Sequence, residues 1–224
     1  MSFKLVGQYD SPYTRRVAIS LTVLGFSFSQ IPLSLFADFE DMKAINPLVR
    51  IPSLILPDGE VLIDSGAILD YLDEQVGPDK ALIPPSGKER RMALKIIAIA
   101  TGAIDKAMAI NYERNQRPAN KQYAPWTERL TTQLQGALSA LEALPQTPWL
   151  SGDRLSQTDI TTAAMIGYIK LYTPHLFDRK LYPQLNIHAL NCEALPAFKS
   201  CLPHPDNIGG NLKSARQAID RLAC

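Results

Sequence analysis

The sequence predicts a small α/β domain followed by an all-α domain. Strand and helix signals alternate over residues 1–78, whereas the signals from residue 88 onward are almost entirely helical. The stretch between them, residues 79–87, is rich in proline and glycine and interrupts the periodicity of the hydrophobic residues. We therefore predict domains at 1–78 and 88–224, joined by a linker.

The first domain opens with a short apolar strand, Phe3–Val6, and a helix whose apolar side chains recur from Val17 onward. Loose alternation over residues 26–33 predicts a second strand, and Pro32 favours the edge of the sheet. Residues 36–46 are polar and mixed, which indicates a loop with one helical turn.

A hairpin and a helix complete this domain. Residues 51–56 and 60–63 are apolar runs on either side of Pro57-Asp58-Gly59, a strong hairpin signal. Asp64-Ser65 is a helix cap, followed by a helix with an apolar face. The predicted order is β-α-β-loop-β-β-α.

The second domain begins with one long helix over residues 88–116. A stripe at helical spacing predicts the next helix through Trp126, Leu130, Leu134, Ala137, Leu141 and Leu144. Residues 159–172 are apolar on nearly all faces, so they predict the buried central helix. Residues 182–201 and 211–222 predict two further short helices.

Composition and charge exclude several classes of function. The 224 residues carry 23 basic and 22 acidic side chains, so neither nucleic acid nor a membrane surface is predicted as a partner. No apolar run approaches the roughly 20 residues of a membrane span, and the N-terminus lacks a signal-peptide pattern. Cys192, Cys201 and Cys224 predict reduced thiols and a cytoplasmic protein. The three histidines lack ligand spacing, so no metal site is predicted.

Ser11 lies where the first strand gives way to the first helix, and two interpretations of it stay open. Serine before Pro12 is a favoured N-cap, which is a purely structural role. A helix N-terminus also offers unpaired N–H groups and a positive dipole end, which lower the pKa of a bound thiol. In that second interpretation the Ser11 hydroxyl donates a hydrogen bond to the sulfur.

Several short motifs follow one another at characteristic spacing. They are Ser11-Pro12-Tyr13 with Arg16-Val17, Asn46-Pro47 with Ile51-Pro52, Asp64-Ser65 with Ala67-Ile68 and Tyr71-Leu72, Trp149–Gly152, Ser156–Asp159, Tyr182-Pro183, and Leu195–Phe198. On these motifs the chain resembles the cytosolic glutathione S-transferases, in particular bacterial members with an N-terminal serine, over essentially its full length. The resemblance implies a thioredoxin-like domain followed by an all-α domain, assembled as a homodimer.

The resemblance also implies a binding site. Pro52 matches a proline that follows a cis peptide bond in the family, which leaves the Ile51 backbone to pair with the cysteinyl backbone of glutathione. Asp64-Ser65 matches the pair that binds the γ-glutamyl carboxylate, and Arg50 matches a basic residue directed toward the tripeptide's carboxylate. The structural alternatives are an edge strand at Ile51-Pro52, a simple helix cap at Asp64-Ser65 and an exposed side chain at Arg50.

Three departures from the patterns of other family classes narrow the range of expected reactions. Some family members carry a cysteine where Ser11 stands, and serine cannot form their mixed disulfide with glutathione. The strand end holds Gly7 in place of the tyrosine of other classes, so Tyr9 and Tyr13 are only rival hydroxyls. The denser serine-cysteine motif of the zeta-like isomerases is also missing, which disfavours their reaction.

The hypothesis is therefore a glutathione transferase with Ser11 as the catalytic hydroxyl, acting on a hydrophobic electrophile in detoxification. The electrophile pocket is predicted between the domains at Tyr13, Phe36, Met108 and Tyr112. Glutathione is a co-substrate, and no cofactor or metal is expected. The alternative is a non-catalytic glutathione-binding or scaffold protein on the same fold. A thioredoxin-like redox protein is excluded, since the chain has no Cys-x-x-Cys motif.

Overall fold

A four-stranded mixed sheet forms the centre of the first of two units into which the chain divides. The computed structural model describes residues 2–145 and 148–204. The strands are β1 (Phe3–Val6), β2 (Phe28–Ile31), β3 (Ser53–Ile55) and β4 (Val61–Leu62), in the order β2-β1-β3-β4. β1 pairs in parallel with β2 and antiparallel with β3, and β3 and β4 form the predicted hairpin. Leu5 lies opposite Leu54 and both are fully buried.

The helices follow the predicted order. They are α1 (Pro12–Val23), α2 (Phe39–Ile45), α3 (Ser65–Val76), α4 (Gly87–Asn115), α5 (Ala124–Glu142), α6 (Gln157–Tyr172), α7 (Pro183–Glu193) and α8 (Pro196–Lys199). The thioredoxin-like α/β arrangement and the all-α region are thus both confirmed. No helix among the described residues is long and apolar enough to cross a membrane.

The loop predicted over residues 36–46 contains more helix than expected. α2 spans seven residues, and its Met42 is fully buried against Val6 and Leu33. Asp38 accepts a hydrogen bond from the Ser34 N–H at 2.9 Å, which shapes the turn before the helix. The single apolar anchor at Met42 explains the helix, because tertiary packing stabilises a segment whose own pattern is weak.

The stripe predicted for α5 is only partly buried. Leu130, Leu134 and Leu141 are buried, but Trp126 lies in the first turn of the helix and is 47% exposed. Leu138, four residues after Leu134, is buried, whereas the predicted Ala137 is only half-buried. The buried face of α5 therefore follows the spacing i, i+4 and i+8 more closely than the predicted stripe through Trp126 and Ala137.

The C-terminal end of the described chain differs from the prediction in two ways. Residues 182–201 form two helices, α7 and α8, because Pro196 cannot donate the backbone hydrogen bond that would continue a helix. In addition, residues 196–204 group with residues 2–81, whereas the described residues of 82–195 form the second unit. The helix predicted at 211–222 lies outside the described residues.

Arg15 explains why this end of the chain belongs to the first unit. Its Nε donates to the backbone oxygen of Cys201 at 2.9 Å, and its guanidinium lies 6.0 Å from the centre of the Phe198 ring. Phe198 is fully buried and Arg15 is only 4% exposed. Cys192 and Cys201 are free, as predicted, and both are buried, whereas Cys224 lies outside the described residues.

Candidate functional site

Ser11 caps α1 weakly, which leaves its hydroxyl proton available. The residue has extended backbone angles, Pro12 begins the helix, and the Ser11 Oγ accepts from the Thr14 N–H at 3.4 Å. Because the oxygen acts as an acceptor in the cap, the O–H can still donate to another group. The first turn of α1 contains no acidic side chain that would neutralise the positive end of the helix dipole. Ser11 is also half-buried, so a ligand can reach it.

Gly7 brings three segments together at this helix start. It has a φ of +131°, and a Cβ atom here would lie 2.6 Å from Thr14 Oγ1 and 2.8 Å from Ile51 Cβ. Only glycine fits such a contact. The end of β1, the first turn of α1 and the Ile51 loop therefore converge. The sequence marked Gly7 only as the place of a missing tyrosine, although a glycine between a strand and a helix signals a close approach of this kind.

The Ile51-Pro52 segment has the predicted cis peptide bond. The antiparallel ladder with β1 starts at Ser53, so Ile51 lies outside it, two residues before β3, which is an interior strand of the sheet and not the edge strand of the structural alternative. The side chain of Asn46 supports the loop by donating to the Arg50 backbone oxygen at 2.9 Å and accepting from the Leu48 N–H at 2.9 Å. The Asn46 side chain thus stabilises the segment that is predicted to bind the glutathione backbone.

The start of α3 combines a cap with a buried hydroxyl. Asp64 is exposed, and its Oδ1 accepts from the Gly66 N–H at 2.8 Å. Ser65 is only 2% exposed, and its Oγ accepts from Arg16 Nη2 at 2.7 Å and from Arg16 Nε at 3.2 Å. With both interactions directed at the oxygen, the Ser65 O–H can donate to an anion at the helix start.

Arg16 contacts a predicted site residue, Ser65, and the sequence did not reveal this contact. Arg16 lies on α1, is 4% exposed, and its guanidinium lies 5.5 Å from the centre of the Tyr13 ring. Through Ser65, Arg16 joins the two helix starts that the sequence analysis assigned to glutathione. The available signals were the arginine pair Arg15-Arg16 near the start of α1 and the Arg16-Val17 motif.

The other predicted site residues are placed as follows. Arg50 is exposed at the edge of the Ile51 loop. Burial raises the pKa of the Tyr9 phenol, and the charge of Cys201 raises it further, so this rival hydroxyl stays protonated. Phe36 belongs to the first unit and is 55% exposed. Met108 and Tyr112 lie on α4 in the second unit. The electrophile pocket itself stays a prediction.

The second unit contains a buried polar cluster around Asp159. The Ser156 N–H donates to Asp159 Oδ2 at 2.9 Å, as in a capping box, and the Leu150 N–H donates to Oδ1 at 2.9 Å. His188 Nε2 lies 3.7 Å from Asp159 Oδ1 and 3.6 Å from Cys192 Sγ. Burial lowers the pKa of His188, although Asp159 opposes this shift, and burial raises the pKa of Cys192. The cluster is therefore neutral at His188 and unreactive at Cys192.

No group of three or more His, Cys, Asp or Glu side chains could hold a metal ion within residues 2–145 and 148–204. The first unit nevertheless offers several groups suited to an anionic peptide. They are the two helix starts, the hydroxyls of Ser11 and Ser65, and the backbone of Ile51 before β3.

Comparison with known proteins identifies the family. The family model of the glutathione S-transferase N-terminal domain matches residues 5–80, and that of the C-terminal domain matches residues 124–186. The maleylacetoacetate isomerase of Pseudomonas aeruginosa is 30% identical, over 91% of this chain and 96% of the isomerase. The crystal structure of a glutathione S-transferase from Methylobacterium radiotolerans in complex with glutathione sulfonate has a TM-score of 0.86 at 28% identity, covering 95% of this chain and all (100%) of that one. A glutathione S-transferase from Methylobacillus flagellatus with glutathione bound has a TM-score of 0.84 at 31% identity, covering 91% and 100%. The chain therefore belongs to the glutathione S-transferase family.

Proposed function

We propose that the protein is a glutathione transferase that binds glutathione in its first unit and stabilises the thiolate with Ser11. The observation that carries the proposal is the geometry of Ser11, whose oxygen accepts the capping bond while its proton is left to donate. The start of α1, which has no acidic side chain in its first turn, favours the same negative charge. Preorganised donors of this kind are commonly the largest single contribution to catalysis.

The rest of the tripeptide binds along the Ile51 loop and the start of α3. The Ile51 backbone pairs in strand fashion with the cysteinyl residue, since Ile51 lies beyond the end of the β1–β3 ladder. The γ-glutamyl carboxylate accepts from the start of α3 and from the Ser65 hydroxyl, which Arg16 orients. Asp64 borders this end of the ligand, and Arg50 faces the tripeptide's carboxylate. Structural relatives solved with glutathione sulfonate or glutathione bound support the binding of this tripeptide.

The chemistry begins when the glutathione thiol loses its proton to solvent. The thiolate attacks an electrophilic carbon, a sulfur–carbon bond forms, and the leaving group departs with its electron pair. With a hydroperoxide, the thiolate attacks an oxygen, the O–O bond breaks, and an alcohol leaves. A second glutathione then reduces the sulfenic acid to give glutathione disulfide and water. Glutathione supplies the electrons, so the proposal includes no metal or redox cofactor.

The proposal also includes a homodimer, a cytoplasmic location and a role in detoxification, as the resemblance to cytosolic family members implies. Sedimentation of the purified protein tests the dimer.

Calorimetry with glutathione and the ultraviolet thiolate band test the role of Ser11. We expect the wild type and Ser11→Ala to bind glutathione within a fewfold of each other, but only the wild type to show thiolate at neutral pH. Ser29→Ala is the matched control, because Ser29 is exposed on β2 and the chemical change is the same. Failure of the wild type to bind would refute the proposal, and thiolate persisting in Ser11→Ala would refute the role of this hydroxyl.

Tyr9→Phe and Tyr13→Phe test the rival hydroxyls in the same assay. Both variants should keep the thiolate band, since neither phenol is assigned to the sulfur. If the wild type binds without any thiolate, the non-catalytic binding or scaffold function is the better account.

Glutathione-dependent isomerisation is a second candidate, favoured by the similarity to the maleylacetoacetate isomerase of Pseudomonas aeruginosa. The residue after Ser11 is Pro12, so the serine-cysteine motif of such isomerases is incomplete here. Turnover of maleylacetoacetate with catalytic amounts of glutathione distinguishes isomerisation from conjugation, which consumes glutathione stoichiometrically.

A further inference from the structure

A hydroxyl group without a hydrogen-bond partner is buried in the first turn of α1. It belongs to Thr14, which is fully buried, and its Oγ1 has no partner within residues 2–145 and 148–204. An unpaired polar group in a protein interior destabilises the folded state, so its presence requires a physical explanation. One such explanation is a partner that becomes available only when a ligand binds.

The Thr14 hydroxyl lies where the segments of the proposed glutathione site converge. A Cβ atom at Gly7 would be 2.6 Å from Thr14 Oγ1 and 2.8 Å from Ile51 Cβ, so the end of β1 and the Ile51 loop both approach this oxygen. The peptide groups of Gly7 already have partners elsewhere. Its N–H donates to the Ile31 oxygen at 2.8 Å, and its oxygen accepts from Gln30 Nε2 at 2.9 Å.

Ser11 is the neighbour that the Thr14 hydroxyl is placed to serve. Residues three apart at a helix start lie on the same face, and the Thr14 N–H already donates to Ser11 Oγ at 3.4 Å. This distance is longer than the usual range of about 2.7–3.2 Å for such a bond, which leaves room for a closer approach of the two residues. The two hydroxyl groups are not bonded to each other in the structure.

A thiolate beside Ser11 makes the Ser11 oxygen a better acceptor. When the Ser11 O–H donates to a negatively charged sulfur, the electron density on its oxygen increases. Hydrogen bonds that follow one another in a chain strengthen each other for this reason. The buried Thr14 O–H then has a favourable acceptor, which the protein without a ligand does not offer.

We propose that Thr14 is a positioning residue of the glutathione site: when a thiolate lies at the start of α1, the Thr14 hydroxyl donates to Ser11 Oγ, and Ser11 donates to the sulfur. This inference rests on the function proposed above. Thr14 acts through Ser11 and does not itself contact the sulfur. The chain of two hydroxyl groups directs the Ser11 proton to the sulfur, and no covalent bond forms or breaks.

Thr14→Val tests the hydroxyl, because valine keeps the shape of threonine and changes no charge. Asp10, Arg15 and Arg16, the charged residues around this helix start, therefore act on the sulfur equally in both proteins. We expect the pH midpoint of the thiolate band of bound glutathione to rise by about one unit in Thr14→Val. Thr14→Ser keeps the hydroxyl and loses only a methyl group, so it should keep the wild-type midpoint.

Thr162→Val is the matched control. Thr162 lies on α6 in the second unit, is fully buried, and its Oγ1 also has no partner in the described part of the chain. The two valine variants thus make the same chemical change at the same degree of burial. Both should resist urea at least as well as the wild type, since each loses an unpaired buried polar group. Only Thr14→Val should move the thiolate midpoint.

A thiol introduced by Ser11→Cys tests the inference without glutathione. The rate of alkylation by iodoacetamide as a function of pH, followed on the peptide that contains residue 11, gives the pKa of this thiol. Cys192 and Cys201 are buried and lie in other peptides. We expect Thr14→Val in this background to raise the thiol pKa by about one unit, because the thiolate loses a hydrogen-bond donor.

The two measurements separate this inference from the proposed function. Failure of the wild type to bind glutathione would refute the proposed function, whereas the measurement on the Ser11→Cys protein would still stand. Equal thiol pKa values with threonine and valine at position 14, or an effect of Thr162→Val as large as that of Thr14→Val, would overturn the role of Thr14. Loss of the thiolate in Thr14→Ser would also overturn it. Circular dichroism controls for folding, and Thr14→Ala replaces a valine variant that does not fold.

Discussion

The helix starts at Ser11 (α1) and Ser156 (α6) differ in how completely the polar groups of the capping serine are satisfied. At α1, Ser11 is half-buried and its Oγ accepts one long bond of 3.4 Å from Thr14. At α6, Ser156 is only 7% exposed, and its Oγ donates to Asp159 Oδ2 at 2.8 Å and lies 2.7 Å from the Thr158 hydroxyl.

The difference separates a structural helix start from one suited to a ligand. Asp159 also accepts from two backbone N–H groups and faces His188, so the start of α6 is closed by its own side chains. The start of α1 has no acidic side chain in its first turn and keeps a hydroxyl proton to donate. The same residue type therefore stabilises the fold in one unit and is available for chemistry in the other.

The largest expected effect is a loss of stability when the hydrogen bonds at the start of α6 are disrupted. Asp159→Asn replaces an acceptor of several hydrogen bonds with an amide that cannot accept them all, and leaves a buried N–H without its partner. We expect the free energy of unfolding in urea to fall by about 3 kcal/mol. Asp153→Asn, at an exposed position, is the control and should change it by less than about 0.5 kcal/mol. Equal effects of the two changes would contradict the comparison.

The second expected effect is a dependence of stability on pH that arises from His188 in the cluster around Asp159. Burial lowers the pKa of His188 below its usual value of 6.5, so the folded protein keeps this imidazole neutral. Below about pH 6.5 the unfolded chain binds a proton that the folded chain does not, and stability therefore falls as the pH decreases. One such group contributes at most about 1.4 kcal/mol per pH unit.

Urea unfolding between pH 7.5 and 5 measures this slope, and His188→Gln should make it shallower. An NMR titration of the His188 ring gives the pKa directly and does not depend on the variant folding. A pKa at or above 6.5 would contradict the assignment.

The smallest expected effect is on the free energy of unfolding when Ser11, at the start of α1, is replaced. Ser11→Ala removes one long capping bond, so we expect about 0.5 kcal/mol of stability to be lost, at the low end for N-cap substitutions. Ser156→Ala should cost more, about 1.5 kcal/mol, because it removes two short hydrogen bonds from a buried site. Urea unfolding of both variants makes the comparison, and a larger loss for Ser11→Ala would reverse it.

Local signals predicted the parts of the site that depend on neighbours in the chain. Ser11 before Pro12, Asp64 before Ser65 and the Asp-Gly turn at residues 58–59 each specify a cap or a turn within a few residues. These features are observed as predicted. The predictions were weaker for α2 and for Trp126, where burial is decided by packing against distant residues.

The sequence by itself determined the order of the elements, the two architectures and the positions of the caps, because hydrophobic periodicity and capping are properties of short segments. Only the tertiary structure decided which of these segments meet. Arg16 contacts Ser65 across 49 residues of chain, and Gly7 lets Thr14 and Ile51 approach closely. His188 approaches Asp159, and Arg114 approaches His175, in the same way. Such contacts depend on how elements pack together, and no local pattern records that packing.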